Sequence, residues 1–269
     1  MGTQVAEARP ASARQPGRGR TAGLLADAGR IEGLDGLRAL AVAAVLVYHL
    51  RPASLPGGFL GVDVFFVVSG FLITTLLLRE IATRGRIDLA RFWLRRARRL
   101  LPPLLAVVVL SVPLAWLAST DLLVGIGRQV LGAVTFSSNW LEIGAGSSYF
   151  DATAPQLFVN FWSLAVEEQF YLLWPAAVAA LVAAAGGRRR TRVALVLAAV
   201  SAAFMAVLHT PGEDATRVYY GTDTHLFGLM IGAALAFAFA TPGTALRPRR
   251  GDGAGATSGP RWPWRASPR

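Results

Sequence analysis

Long apolar runs, separated by arginine-rich segments, constrain this chain more than any other feature. Of its 269 residues, 54% are hydrophobic and only 16% are charged, and the mean hydropathy is +0.46. Crossing the hydrocarbon core of a bilayer takes about 20 helical residues, and several of the apolar runs approach or exceed that length. The sequence lacks the polar and apolar alternation that marks the strands of an outer-membrane barrel. It therefore predicts an all-α fold, a polytopic bundle of transmembrane helices.

The apolar runs predict about six crossings. Residues 119–141 are moderately apolar, but Asp121, Arg128, Gln129 and Asn139 interrupt them. We expect this segment to lie on the outer side, at the interface, or in a re-entrant turn that is buried in protein. The predicted spans are 34–50, 59–78, 101–117, 157–185, 193–208 and 224–240.

The arginines predict the orientation of the spans, because cytoplasmic loops of membrane proteins carry an excess of basic residues. Residues 79–99 and 186–192 are rich in arginine and are predicted to be cytoplasmic loops. The N-terminal arginines place the N-terminus in the cytoplasm of a multi-pass plasma-membrane protein. The net charge of +11 is explained in this way, and the basic segments lack interleaved aromatic residues, so we expect no nucleic-acid partner.

The two ends of the chain differ in composition from the apolar part. Residues 1–30 and 242–269 are rich in Arg, Gly, Ala or Pro, and we predict a disordered cytoplasmic tail at each end. Residues 1–30 also lack the apolar region of a cleavable signal peptide. The predicted transmembrane domain occupies residues 31–241.

The residue types exclude several kinds of site. The chain has no cysteine, which excludes disulfides and thiol nucleophiles. His49, His209 and His225 are too far apart in sequence for the paired spacing of zinc ligands, so we expect no metal. Glycine loops of the nucleotide-binding types are also missing.

Arg38 and His49 lie eleven residues apart in the first predicted span. Eleven helical residues return to within about 20° of the starting direction, about 16 Å further along the axis, so the two side chains share one face. Ionisable side chains within a span mark functional sites, although Arg38 as a flanking anchor and His49 as an interfacial residue remain alternatives. Asp35 lies one turn before Arg38 on the same helix face. It is either part of the same site, or it caps the helix or pairs locally with Arg38.

Glu167 and Glu168 are adjacent in an aromatic-rich helix that is otherwise apolar. Burying a carboxylate costs several kcal/mol unless it is paired, hydrogen-bonded or protonated. Neighbouring residues diverge by about 100° on a helix, so at most one of the two readily faces a shared cavity. One interpretation is an ion pair with an arginine elsewhere in the bundle; the other is a glutamate that orients a catalytic histidine.

Other polar residues also interrupt the apolar runs. Asp63 and Ser69 lie in the second span, and we favour close helix packing at Ser69-Gly70 over a nucleophilic serine. Four residues gather where the last span begins on the outer side, and they suit either an interfacial aromatic belt or a polar acceptor pocket. They are Tyr219, Tyr220, Asp223 and His225.

Taken together, five segments resemble acyltransferase family 3, a family of integral membrane acyltransferases that includes the bacterial O-antigen acetylases. In order, they are LDGLRALAV with His49 eleven residues after Arg38, GGFLGVDVFFVVSGFLIT, FWLRRARRLLPP, FWSLAVEEQFYLLWP and RVYYGTDTHLFGLMIGA. They extend over about residues 34–236.

The resemblance implies transfer of an acyl group, commonly acetyl, from acyl-CoA to a hydroxyl of a carbohydrate, a cell-surface glycan or a glycosylated metabolite. It implies that His49 deprotonates the acceptor and that Arg38 contacts the donor or holds the site geometry. The arginines of residues 95–99 are either phosphate ligands of the donor or topology signals. Acyl-CoA is a co-substrate, and no bound cofactor is expected.

The candidate residues follow from these interpretations. The candidate catalytic residues are His49, Arg38, Glu167 and Glu168. The candidate substrate-binding residues are Asp35, Asp63, Ser69, Arg95, Arg98, Arg99, Tyr220, Asp223 and His225.

The span count departs from the family pattern, because family members usually have about ten spans. We therefore expect the chain to lack the C-terminal spans, either as a truncated or frameshifted product or with a partner chain that supplies the remainder. The lipid bilayer is an expected partner in both cases. The alternatives are an inactive truncated fragment and a component of a transporter or flippase, since polar residues within spans also mark translocation paths.

Overall fold

The computed structural model describes residues 33–149 and 156–240, and the regular elements in that part of the chain are all helical. The predicted all-α fold is therefore confirmed. The predicted tails, 1–30 and 242–269, lie outside the described residues. In chain order the α-helices are α1 (Leu34–Leu50), α2 (Gly61–Arg84), α3 (Leu89–Ala118), α4 (Ile126–Thr135), α5 (Ser138–Gly144), α6 (Phe161–Ala184), α7 (Gly187–Leu208), α8 (Thr216–Tyr220) and α9 (Thr222–Ala240).

Four helices in the described residues are long and apolar enough to cross a membrane. They are α2 with the 3-10 turn that precedes it, α3, α7 and α9. Helix α1 has 17 residues, and α6 has 24 residues, among them Glu167 and Glu168. The structure therefore supports a membrane helix bundle, and the count of six crossings stays a prediction.

Helix α3 corrects the prediction of a loop over residues 79–99. The helix begins at Leu89, because the Asp88 carboxylate caps it by accepting a hydrogen bond from the backbone N–H of Arg91 at 3.0 Å. Pro102, near the start of the predicted span 101–117, lies inside the helix. A proline removes one backbone hydrogen bond of a helix, and here the helix continues through that gap.

Three other segments can be compared with their predictions. Helix α7 begins at Gly187 rather than at residue 193, so the arginines of residues 188–192 form its first turns. Residues 119–141 form a 3-10 turn, α4 and the start of α5, and these helices of 10 and 7 residues are too short to span a bilayer. The bounds of α1 agree with the predicted span, 34–50.

Helix α9 packs between α2 and α7. A Cβ atom at Gly70 would overlap the carbonyl oxygen of Leu229, and one at Gly232 would overlap that of Val67. The two glycines therefore let the backbones of α2 and α9 approach closely, as small residues do between membrane helices. This contact agrees with the packing interpretation of Ser69-Gly70.

The buried core joins α2, α6 and α9 through side chains such as Phe66, Trp162 and Leu229. In contrast, large apolar side chains of α3 and α7, such as Leu117 and Val207, are exposed. In a bundle that spans a bilayer, such faces contact lipid rather than water.

Candidate active site

A cavity of about 470 Å³ opens between α1, α2, α3 and α6. Much of its wall is apolar, from side chains such as Val42, Phe65 and Leu164. A concave apolar wall with a few convergent polar groups is typical of a ligand site. The polar side chains that line it are Arg38, Ser69, Arg96, Arg99, Ser163, Glu167 and Tyr171.

Arg38 reaches this cavity from α1. Its guanidinium carbon lies 5.0 Å from the centre of the Phe65 ring, within the range of a cation–π contact. The α1 wall extends from Arg38 to Val45, about 10 Å along the helix axis. The cavity therefore leads from Arg38 towards the end of α1 that carries His49.

Arg96 and Glu168 form a two-pronged ion pair between α3 and α6. The Arg96 Nε atom lies 2.9 Å from both carboxylate oxygens, and Nη2 lies 2.7 Å from Oε1. The guanidinium also lies 3.4 Å from the centre of the Tyr171 ring. The charge of Arg96 is thus neutralised by protein, whereas Arg99, one turn further along α3, is exposed and lines the cavity.

Glu167 lines the cavity and is only 8% exposed. It accepts a hydrogen bond of 2.6 Å from the Tyr171 hydroxyl. The adjacent glutamates therefore point in different directions, and among the described contacts they bind Tyr171 and Arg96 rather than a histidine. The ion-pair interpretation accordingly describes Glu168, and the structure does not place either glutamate against His49.

His49 lies one turn beyond Val45, in the exposed last turn of α1. Its Nδ1 atom is 2.8 Å from the Val45 carbonyl oxygen. Since a carbonyl oxygen only accepts hydrogen bonds, Nδ1 carries a proton, and in the tautomer with its proton on Nδ1 the Nε2 atom accepts a hydrogen bond. The Tyr149 hydroxyl lies 3.1 Å from Nε2 and donates to it. Arg38 thus lines the cavity, while His49 lies outside its lining.

Tyr149 is a contact of His49 that the sequence did not predict. Its ring packs on Tyr219, with ring centres 4.8 Å apart, and its backbone N–H donates to the Thr216 hydroxyl oxygen at 2.8 Å. Burial raises the pKa of the Tyr149 phenol above its ordinary value, so the hydroxyl keeps its proton. No local pattern links residues 49 and 149, because the contact depends on how the chain folds back.

Asp63 and His225 form a second histidine contact, between α2 and α9. The His225 Nε2 atom lies 3.6 Å from Asp63 Oδ1, and His225 is 2% exposed. The Trp162 and Tyr219 rings pack edge-on against the imidazole, with ring centres 5.5 and 5.3 Å away. This pair is therefore enclosed by aromatic side chains, and neither residue is part of the lining of the Arg38 cavity.

The structure shows the surroundings of the four residues at the start of the last span, and their predicted part in a polar acceptor pocket stays a prediction. Tyr219, Tyr220 and His225 are buried among aromatic rings, because α8 folds onto α6 and α9. Asp223 pairs with Arg217, with 2.6 Å between Oδ2 and Nη2. The structure thus gives these residues packing and pairing contacts.

The remaining candidates lie away from the cavity. Asp35 is in the exposed first turn of α1. Arg95 pairs with Glu80 at 3.8 Å, and Arg98 is exposed. Of the arginines in residues 95–99, the cavity is lined by Arg96 and Arg99.

The sequence was compared with models of known protein families and with known proteins, and the matches point to one family. The model of acyltransferase family 3, described as an acyltransferase domain, matches residues 31–249. The chain is 42% identical over 209 residues to the peptidoglycan O-acetyltransferase OatA of Listeria monocytogenes, covering 77% of this chain and 34% of that protein. Over 207 residues it is 41% identical to the O-acetyltransferase OatA of Staphylococcus aureus, with the same coverage.

A third relative, the putative peptidoglycan O-acetyltransferase YrhL of Bacillus subtilis, is 44% identical over 210 residues, which cover 77% of this chain and 33% of that protein. The chain thus spans about a third of the length of these relatives. No solved structure matches the chain significantly.

Proposed function

This chain belongs to acyltransferase family 3, and from that premise we propose that it is a membrane O-acyltransferase that moves an acetyl group onto a hydroxyl of a cell-surface glycan. The names of the relatives support a glycan acceptor, since two of them are described as peptidoglycan O-acetyltransferases. We place the chain in the plasma membrane with its N-terminus in the cytoplasm, because the arginines of residues 79–99 and 186–192 suit the cytoplasmic side.

Acyl-CoA is the proposed donor, and the Arg38 cavity is the observation that carries this proposal. Arg38 and Arg99 line the cavity, whereas the third arginine there, Arg96, is already paired with Glu168. Guanidinium groups bind phosphate oxygens with two parallel hydrogen bonds, and the apolar walls suit the uncharged arm of the donor. The acyl group at the end of that arm would point along α1 towards His49.

His49 is the proposed general base. The acceptor hydroxyl gives its proton to Nε2 while its oxygen attacks the carbonyl carbon of the thioester. The carbon–sulfur bond then breaks, the CoA thiolate leaves, and the acceptor carries the new ester. Assistance of this kind typically accelerates a reaction by about 10²–10⁴.

The test uses membranes that contain the chain, labelled acetyl-CoA and a peptidoglycan acceptor. His49→Ala and Arg38→Ala should each lower label transfer by about a hundredfold or more. His209→Ala is the matched control, because His209 is exposed at the end of α7 and outside the proposed site. Each variant must insert into membranes as the wild type does. Undiminished transfer by the His49 and Arg38 variants would refute the proposed roles.

A further inference from the structure

Resting on the proposed role of His49, we propose that Tyr149 is a positioning residue for the His49 imidazole and that Thr216 and Asp214 hold Tyr149 in place. The connection between α7 and α9 would then control a side chain at the end of α1. The chain of contacts combines hydrogen bonds with the packing of aromatic rings.

The first step sets the tautomer of His49. Val45 holds the proton on Nδ1, and the Tyr149 hydroxyl donates to Nε2 at 3.1 Å. Which imidazole nitrogen carries the proton is decided by the hydrogen bond that the other one makes. Two bonds on opposite edges of the ring therefore fix its orientation and keep the Nε2 lone pair free of a proton, as a general base requires. An acceptor hydroxyl that replaces the Tyr149 hydroxyl meets a ring already in this state.

The second step fixes the backbone of Tyr149. The Thr216 hydroxyl donates to Asp214 Oδ1 at 2.7 Å, and the Thr216 backbone N–H donates to the same oxygen at 3.1 Å. A hydroxyl has one proton, and here Asp214 receives it. The lone pairs of the Thr216 oxygen are therefore left to accept the Tyr149 N–H at 2.8 Å. Thr216 is buried and Asp214 is exposed, so the Thr216 end of these bonds is the one that is shielded from water.

The third step fixes the ring of Tyr149. The ring packs against Tyr219 and Tyr220, which belong to α8 as Thr216 does, and against Trp162 of α6. Helix α8 thus holds Tyr149 through the backbone and through the ring.

The test measures the tautomer of His49 in the full chain, reconstituted in lipid nanodiscs and labelled with ¹⁵N-histidine. His49→Gln assigns the His49 signals, because the chain has three histidines. In the wild type we expect a protonated Nδ1 and an unprotonated Nε2. Tyr149→Phe keeps the ring and removes the hydroxyl, and it should shift His49 towards a mixture of the two tautomers. In the transfer assay, Tyr149→Phe removes a hydroxyl that contacts both His49 and Tyr219, and it should lower kcat about tenfold with the donor KM unchanged.

Matched threonine variants test whether Thr216 and Asp214 hold Tyr149 in place. Thr216→Val removes the hydroxyl at nearly constant volume and should shift the tautomer in the same direction as Tyr149→Phe, while Thr216→Ser keeps the hydroxyl and should restore the wild-type signals. Thr83→Val is the control, because the Thr83 hydroxyl binds only the backbone of its own helix, at Arg79 and Glu80.

An unchanged His49 tautomer in Tyr149→Phe would overturn the proposal. An identical tautomer in Thr216→Val and the wild type would overturn the proposal that Thr216 and Asp214 hold Tyr149 in place. The tautomer is measured without substrate. Wild-type chain that shows the expected tautomer but transfers no acetyl group would therefore refute the proposed function and not the positioning by Tyr149.

Discussion

The Arg96 guanidinium contacts both carboxylate oxygens of Glu168, at 2.7 to 2.9 Å, although the two residues are 72 positions apart in the chain. The pair ties α3 to α6 beside the cavity. It also distinguishes the two arginines of α3 that line the cavity. The protein neutralises Arg96, whereas Arg99 faces the cavity without an ion pair among the described contacts.

Breaking this pair should destabilise the bundle. Arg96→Met leaves the Glu168 carboxylate in a largely buried position without its partner, which should lower the free energy of unfolding by about 3 kcal/mol. Thermal unfolding in detergent measures the loss. Replacing both residues by Met should recover much of it, and equal instability of the double and single variants would contradict this account. Arg84→Met is the control: Arg84 is 52% exposed in its pair with Glu80, so it should change stability by less than about 1 kcal/mol.

Arg99→Gln should weaken binding of acyl-CoA. If Arg99 contacts a phosphate, its loss should raise the donor KM about tenfold and change kcat little, because the interaction is made equally in the ground state and the transition state. Initial rates over a range of donor concentrations measure both constants. Arg91→Gln, at the exposed start of α3, should keep the wild-type KM. Equal KM values for the two variants would remove Arg99 from the donor site.

Gly70→Ala should disrupt the contact between α2 and α9. The added Cβ would overlap the carbonyl oxygen of Leu229, which is backbone and cannot rotate away, so we expect a loss of about 3 kcal/mol in unfolding free energy. Gly127→Ala is the matched control, because nothing lies within 4 Å of its Cβ position. Alanine favours a helix over glycine, so this control should keep or raise stability by up to about 1 kcal/mol. Similar stability of the two variants would rule out the close approach.

Stability should fall at alkaline pH through the buried tyrosines. Burial raises the pKa of Tyr149, Tyr219 and Tyr220 in the folded chain, whereas the unfolded chain releases phenolic protons near pH 10. Above that pH the unfolded state binds fewer protons than the folded state, so the free energy of unfolding falls as pH rises, by up to about 1.4 kcal/mol per unit for each group. Below it, these groups leave stability unchanged.

The chain has no lysine and no cysteine, so tyrosine is the side chain expected to titrate there. Unfolding measured across the alkaline range, with tyrosinate absorbance recorded in parallel, gives the slope. Tyr149→Phe should reduce this slope by the contribution of one buried phenol. The same slope in Tyr149→Phe and the wild type would contradict the burial of the Tyr149 phenol.

The sequence predicted the parts of the fold that depend on local pattern. The apolar run of residues 34–50 gave α1 its bounds, and the sequence of α6 indicated that Glu167 and Glu168 point in different directions, because helical geometry is set by neighbouring residues. The start of α3 was predicted wrongly. Hydropathy locates the part of a helix that suits lipid, while the polar cap at Asp88 decides where the helix itself begins.

By itself, then, the sequence determined the all-helical membrane class, the order of the family motifs, and the shared helix that carries Arg38 and His49. Only the tertiary structure decided that Glu168 is the partner of Arg96 and that Tyr149 meets His49 from 100 residues away. Helical periodicity acts over a few residues and can be read along the chain. Contacts between distant residues depend instead on which helix faces pack together, and that is settled by the close packing of the whole bundle.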